Sequence, residues 1–346
     1  MIHLGHQDPL HNMEQVRSDS IDTRDQEILA KYSYHFERIE RELARGLSSK
    51  VDAIEQMGRH SLLGQGKRLR PLIFVLCCRL FGNHSEGMYK LSTVFEYIHT
   101  ASLLHDDVLD NAEVRRKKPS ANTLWGNHAA VLEGDFLYSK AFDVAVNYAD
   151  LNFFKKLTET TTIMAEGQVL ELLHERDWGL APEIYFDIVY SKTAVLISAA
   201  CACGGIVSGA RPDELARLEG FGTNMGIAFQ LVDDILDYTS TQKVFGKPVG
   251  KDLLEGKVTL PLIYTLAAIP RSERDEVFEL LEDLGRNEEA LAKVIDLVRH
   301  NGALARVKAE AEAYVARATE QLKGFPYSEA RESLLELNQY IVTRSF

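Results

Sequence analysis

EYIHTASLLHDDVLD, residues Glu96 to Asp110, is a largely apolar stretch ending in acids, with neither glycine nor proline. Asp106 and Asp110 stand four apart, so a helix puts them one turn apart on one face, with Asp107 beside them. A second stretch, QLVDDILD from Gln230 to Asp237, repeats the arrangement with Asp233 and Asp237 four apart, Asp234 adjacent and Gln230 a turn ahead. Carboxylates held at about 4 Å repel by roughly 4 kcal/mol at an effective dielectric near 20, so two such clusters on apolar helices require a compensating cation. All-oxygen ligands favour a hard ion, magnesium above zinc, and magnesium bridges a few carboxylates to substrate phosphates. A metal and a phosphorylated ligand are therefore expected together. One such motif alone would fit a solvated acidic patch at a helix end; two embedded in apolar helices do not.

Outward from these stretches, the 346 residues are 45% apolar and 26% charged, enough for a substantial core. Apolar residues recur at three- and four-residue spacing from Asp22 to the C-terminus, and strand-like alternation is almost absent. Turn chemistry clusters at Gly64 to Gly66, Gly82 to Gly87, Lys117 to Asn122, Trp178 to Pro182, Ser208 to Pro212, Phe245 to Pro248, Pro270 to Arg271 and Gly324 to Pro326. The expected fold is all-α, a single large helical bundle around a central cavity. Leu91 to Leu109, Ala194 to Val207 and Gly226 to Leu236 are apolar around most of the circumference and belong inside it, while the amphipathic Arg274 to Arg344 suits an outer layer.

Residues 1–21, polar and without the apolar segment of a secretory signal, are expected to form a loose extension ahead of one catalytic domain over residues 22–346. Thr193 to Ala210, the longest uncharged stretch, contains Ser198, Gly204, Gly205 and Ser208 and falls short of the roughly 20 residues that span a bilayer, so no transmembrane segment is expected. Cys77, Cys78, Cys201 and Cys203 lack zinc-site spacing and read as reduced core thiols of a cytoplasmic protein. The net charge of -12 argues against a nucleic-acid partner.

Tight basic groups nevertheless stand at the turns: Lys67, Arg68 and Arg70; Arg115, Arg116, Lys117 and Lys118; and Lys247, Lys251 and Lys257. Arginine suits bidentate contacts with a diphosphate and lysine point-charge contacts. His99, seven residues before Asp106, comes round to the same face after two turns, as a diphosphate donor or as an ordinary core histidine. Lys192 and Thr193, read as the start of an otherwise uncharged helix, suit either a phosphate at a helix N-terminus or a snorkelling lysine.

In this order and spacing the motifs resemble the trans-isoprenyl diphosphate synthase family from about residue 22 onward: GKRLRP at Gly66 to Pro71, DDVLD with trailing Arg115 and Arg116, SKT at Ser191 to Thr193, FQLVDDILD, and GKPVGKDLLEGKVTLPL. The resemblance implies the isoprenoid synthase type of helical fold and a magnesium-dependent prenyltransferase, a homodimer, that lengthens an allylic diphosphate with isopentenyl diphosphate. It implies that Asp106, Asp110, Asp233 and Asp237 hold Mg2+, with Asp107 and Asp234 as neighbouring or water-mediated partners and Lys192 among the catalytic residues. Lys67, Arg70, His99 and Arg116 resemble the isopentenyl diphosphate site. Arg115, Lys192, Thr193, Gln230 and Lys257 resemble the allylic diphosphate side, with Lys247 a weaker candidate. The glycine doublet usual before the lysine is Gln65-Gly66 here.

Bulk just upstream of the first motif sets product length in that family. Here Ala101 and Ser102 are small and lie about 6 to 7.5 Å deeper than Asp106, and Ala145 leaves extra room. The resemblance is thus to the long-chain, octaprenyl diphosphate synthase type, working from a farnesyl primer for quinone side chains, with peripheral membrane contact for product release. The alternatives are a short-chain geranylgeranyl or farnesyl synthase, a non-catalytic subunit of a heteromeric synthase, and a structural helical protein with incidental acids. A class I terpene cyclase usually carries an Asn/Ser/Glu-type triad where this chain has DDILD.

Overall fold

The computed structural model describes residues 27, 30–63, 66–116, 118–239, 249–285 and 287–343. Helices α1 (Ser33–Gly46), α2 (Asp52–Leu62), α3 (Leu69–Leu80) and α4 (Gly87–Leu109) are followed by a two-stranded antiparallel hairpin, β1 (Val114–Arg115) and β2 (Lys118–Pro119). Then come α5 (Ala121–Trp125), α6 (Asn127–Tyr148), α7 (Leu151–Leu173), α8 (Pro182–Val189), a π-helical turn (Tyr190–Ala194), α9 (Val195–Ile206) and α10 (Pro212–Thr239). The remaining helices are α11 (Lys251–Leu254), α12 (Leu260–Ala268), α13 (Arg271–Glu282), α14 (Glu288–His300), α15 (Ala303–Leu322) and α16 (Glu329–Thr343). The expected N-terminal extension, Gln65, Lys117, Lys247 and the Phe245 to Pro248 turn lie outside the described residues.

Local chemistry fixes the helix ends. Asp150 caps α7 by accepting the Phe153 amide at 2.9 Å, and Asn287 caps α14 by accepting the amides of Glu289 and Ala290 at 3.0 and 3.2 Å. Pro182 opens α8, where a missing N–H removes no helical bond. The expected breaks at Gly82 to Gly87, Trp178 to Pro182, Ser208 to Pro212 and Pro270 to Arg271 all fall between helices. The hairpin escaped the periodicity because two residues per strand are too few to alternate.

The centre of the bundle is α9, buried at every position from Val195 to Gly205 and packed against α3, α7 and α10. Its apolar circumference made that position unavoidable. The amphipathic α15 lies outside and covers α10. Glycines on α10 permit close backbone approaches: a Cβ at Gly222 would fall 2.6 Å from Ser198 Cα, and one at Gly226 2.5 Å from Ala194 Cα. All four cysteines are free and buried in this core, as expected.

Two details correct the sequence reading. Helix α8, the π turn and α9 form one run, Pro182–Ile206, whose 25 residues are apolar and long enough to cross a membrane by length and composition. Most of that apolar window is buried inside the protein, where it already has partners. The uncharged stretch looked shorter because the run continues on its N-terminal side through Glu183, Asp187 and Lys192. For the same reason Lys192 and Thr193 do not open a helix. They sit in the π turn in mid-run, so no helix N-terminus is available there to bind phosphate.

Candidate diphosphate and metal site

Helix α4 carries the first aspartate motif to its C-terminal end, where Asp110 is the capping residue. Asp107 is buried, and its Oδ1 accepts Arg115 Nε at 2.6 Å and Nη2 at 2.5 Å, which ties the hairpin to α4. Asp110 Oδ2 accepts Lys257 Nζ at 2.9 Å. The Asp106 carboxylate has no hydrogen-bond partner among the described residues. Burial pushes its carboxyl above the ordinary range; Glu171 and Asp110 add to the shift, and Lys192 and Lys257 oppose it.

The second motif lies on α10. Asp234 is buried and accepts the Tyr185 hydroxyl at 2.5 Å and Gln230 Nε2 at 2.8 Å, while Gln230 Oε1 accepts Thr193 Oγ1 at 2.9 Å. Burial, reinforced by Asp252, pushes Asp234 well above the usual carboxylate range against those two bonds. Asp237 accepts the backbone amides of Lys251 and Asp252, each at 3.2 Å, and so anchors the start of α11. In both motifs the middle aspartate is buried and orients neighbours, whereas Asp106, Asp110, Asp233 and Asp237 keep some exposure.

The cations form two groups. Lys192 donates to Glu171 on α7, and Lys257 donates to Asp110 and, at 2.7 Å, to Glu255. Burial alone would weaken the Lys257 ammonium, but Asp110, Glu255 and Glu171 outweigh it and raise its pKa. The other group surrounds His99. Burial, followed by Arg70, Arg116, Arg115 and Arg68, pushes that imidazole well below its ordinary value, so it is neutral at pH 7 with one N–H to donate. Arg68 is 3% exposed and held by Glu40 at 2.7 Å, Glu96 at 2.6 Å and the Leu62 carbonyl.

Arg70 Nε finds no hydrogen-bond partner among the described residues. Burial pulls its guanidinium down to about 10, with Glu96 and Asp233 supporting its charge and Arg116 opposing it. Gly66 makes the cluster possible: a Cβ there would fall 2.6 Å from Arg68 Nη1, 3.0 Å from Glu96 Oε1 and 3.1 Å from Arg116 Nη1. Lys67 Nζ donates to the Tyr340 hydroxyl of α16 at 3.0 Å. Ala101 is wholly buried, and Ser102 turns its hydroxyl onto the His99 carbonyl at 2.9 Å.

Sequence reasoning passed over Glu96, Glu171, Glu255, Tyr185 and Tyr340. Glu96 had a signal, as an acid inside an apolar helix; the others sit in ordinary amphipathic segments.

The donor chemistry fits a hard divalent ion. Among the described residues no three His, Cys, Asp or Glu side chains are gathered to hold a metal. The carboxylates come instead in pairs from two helices, the small protein share that magnesium takes when water and phosphate oxygens complete its shell. Asp106, unbonded and crowded by other acids, is the position where a cation relieves most charge.

Residues 51–298 match the family model for polyprenyl synthetase. The chain is 38% identical over 298 residues to octaprenyl diphosphate synthase of Escherichia coli (strain K12), covering 86% of this chain and 92% of that protein. It is 33% identical to heptaprenyl diphosphate synthase component 2 of Geobacillus stearothermophilus, over 89% of this chain and 95% of that one. Its fold superposes with a TM-score of 0.87 and 34% identity on a crystal structure of a polyprenyl synthase from Caulobacter crescentus CB15 complexed with calcium and isoprenyl diphosphate, covering 95% of this chain and 99% of that one.

Proposed function

This chain belongs to the polyprenyl synthetase family and is a trans-prenyl diphosphate synthase, and from that premise we propose that it adds isopentenyl diphosphate to farnesyl diphosphate to give a product near octaprenyl for quinone side chains. In this reading residues 22–346 are the catalytic domain behind a 1–21 extension.

Asp106, Asp110, Asp233 and Asp237 would hold magnesium. When bound, magnesium supplies positive charge that stabilises the departing diphosphate. Arg115, Lys192, Thr193, Gln230 and Lys257, with Lys247, bind the allylic diphosphate. Lys192 and Lys257 exchange their carboxylate partners for phosphate oxygens as it arrives. Lys67, Arg70, neutral His99 and Arg116 bind isopentenyl diphosphate. Asp107 positions Arg115, and Asp234 positions Gln230. The allylic carbon–oxygen bond breaks with its electron pair leaving on the diphosphate, the alkene of isopentenyl diphosphate attacks the cation, and a proton passes to the leaving diphosphate. An allylic diphosphate results, ready for another round.

The observation that carries the product length is the pair of small residues, Ala101 and Ser102, above Asp106 on α4, with Ala145 equally small on α6. Labelled isopentenyl diphosphate, farnesyl diphosphate and Mg2+ should yield products near octaprenyl; accumulation of only farnesyl or geranylgeranyl diphosphate would overturn the long-chain reading. Ala101→Tyr should shorten the product, and an unchanged length would place Ala101 away from the growing tail.

A cytoplasmic homodimer completes the proposal, with peripheral membrane contact for releasing the product. Leu132 and Val146 share one exposed face of α6, and Leu151, Val169, Leu172 and Leu173 one face of α7, with Leu132 66% and Leu173 74% exposed. A second copy suits this surface because both aspartate motifs are intact and no catalytic partner is needed. Light scattering should give a dimer that turns over alone. Activity only with another chain would favour a heteromeric enzyme, the reading that the name "component 2" of one relative suggests.

A further inference from the structure

We propose that Tyr340, on the last helix, is itself a ligand of isopentenyl diphosphate, donating its hydroxyl proton to a diphosphate oxygen while its oxygen accepts from Lys67. Lys67 stands in the turn before α3, yet its Nζ meets a hydroxyl 273 residues away at 3.0 Å, with the ring centroid 5.5 Å off. A phenol oxygen that accepts a lysine N–H still has its own proton to give. That proton has no acceptor among the described residues, in a side chain only 9% exposed. An ammonium on the oxygen polarises the O–H toward donation, and an anion is the acceptor such a polarised hydroxyl favours.

The hydroxyl is also held in place. Helix α16 packs along α3, Asn338 Nδ2 donates to the Val315 carbonyl at 2.9 Å and to Thr319 Oγ1 at 3.1 Å, and Glu336 accepts the Tyr32 hydroxyl at 2.8 Å. Tyr340 therefore meets an incoming diphosphate with little ordering left to do.

The inference rests on Lys67 contacting isopentenyl diphosphate, and paired variants separate the two. Tyr340→Phe keeps the ring against the ammonium and removes only the hydroxyl. Its KM for isopentenyl diphosphate should rise about tenfold, the loss of one hydrogen bond to a charged group. Its kcat and its KM for the allylic substrate should stay within about twofold of the parent. Lys67→Ala should raise the KM for isopentenyl diphosphate further. A rise for Lys67→Ala with none for Tyr340→Phe would overturn the role of Tyr340 alone; no rise in either would remove Lys67 from the site as well. Equal rises in both KM values, or a Tyr340→Phe protein that does not fold, would mark a structural tyrosine and overturn the inference.

Discussion

Glu96→Gln would reveal whether the arginine cluster is built for an anion that the protein does not itself supply. Glu96 is 2% exposed, takes Arg68 Nη1 at 2.6 Å, and supports the charges of Arg70 and Arg116. The amide keeps the shape and removes the charge those guanidiniums share. Removing one partner of a buried ion pair costs about 3–5 kcal/mol. Arg68 keeps Glu40 at 2.7 Å, which puts this loss near the lower end, about 3 kcal/mol. At roughly 2 °C per kcal/mol for a large domain, Tm should fall by about 6 °C.

Isopentenyl diphosphate changes the comparison. In the proposed placement among Arg70, His99 and Arg116, it would return negative charge to the cluster, so the ligand-induced rise in Tm should be larger in the variant than in the parent. Thermal melts with and without isopentenyl diphosphate read both quantities. A variant that melts within about 2 °C of the parent would refute the shared-charge reasoning. A smaller ligand-induced rise would refute the placement of the diphosphate among these arginines.

Two other substitutions probe the scaffold. Glu133 on α6 is wholly buried, neither carboxylate oxygen has a hydrogen-bond partner, and burial pushes its carboxyl from 4.5 up to about 7. The folded state thus keeps the proton to higher pH than the unfolded chain, and stability present at low pH is lost as pH rises through 7. The loss amounts to about 2.5 kcal/mol between about pH 5 and 8; Glu133→Gln should flatten it in denaturant titrations, and parallel profiles would sink the assignment. Gly226→Ala would push against the backbone of Ala194, 2.5 Å from the new Cβ, and displace the turn that carries Lys192 and Thr193. A stability loss of about 1–3 kcal/mol should accompany a fall in kcat/KM for the allylic substrate, and an unaltered kcat/KM would show that the turn tolerates displacement.

The helices were legible because their causes are local. Apolar spacing, Pro182, Asp150 and Asn287 mark ends and faces whatever the rest of the chain does. The aspartate motifs were legible too, since a four-residue spacing fixes a shared face. The counter-charges were not. Glu171 is 21 residues from Lys192, and Asp110 is 147 from Lys257; such pairings exist only after α7 and the segment beyond α10 have packed. The π turn was hidden because its one-residue shift in phase cannot be read from α9, which is apolar around its circumference.

Those counter-charges divide the site into two unlike halves. Around the first motif, Asp106, Asp110, Glu171 and Glu255 outnumber Lys192, Lys251 and Lys257, and the Asp106 carboxylate goes unbonded among the described residues. Around His99 cations gather instead: Arg68, Arg70, Arg115 and Arg116 surround a neutral imidazole, Glu40, Glu96, Asp107 and Asp233 support them, and Arg70 Nε goes unbonded among the described residues. A diphosphate entering the acidic half must bring cations with it, whereas one entering beside His99 meets four guanidiniums directly. That asymmetry suits a reaction in which one diphosphate leaves and the other stays attached. In the proposed reaction, magnesium held by Asp106, Asp110, Asp233 and Asp237 would supply positive charge where the carbon–oxygen bond breaks. A neutral His99 fits the same logic, because protonating it would add a cation beside four arginines.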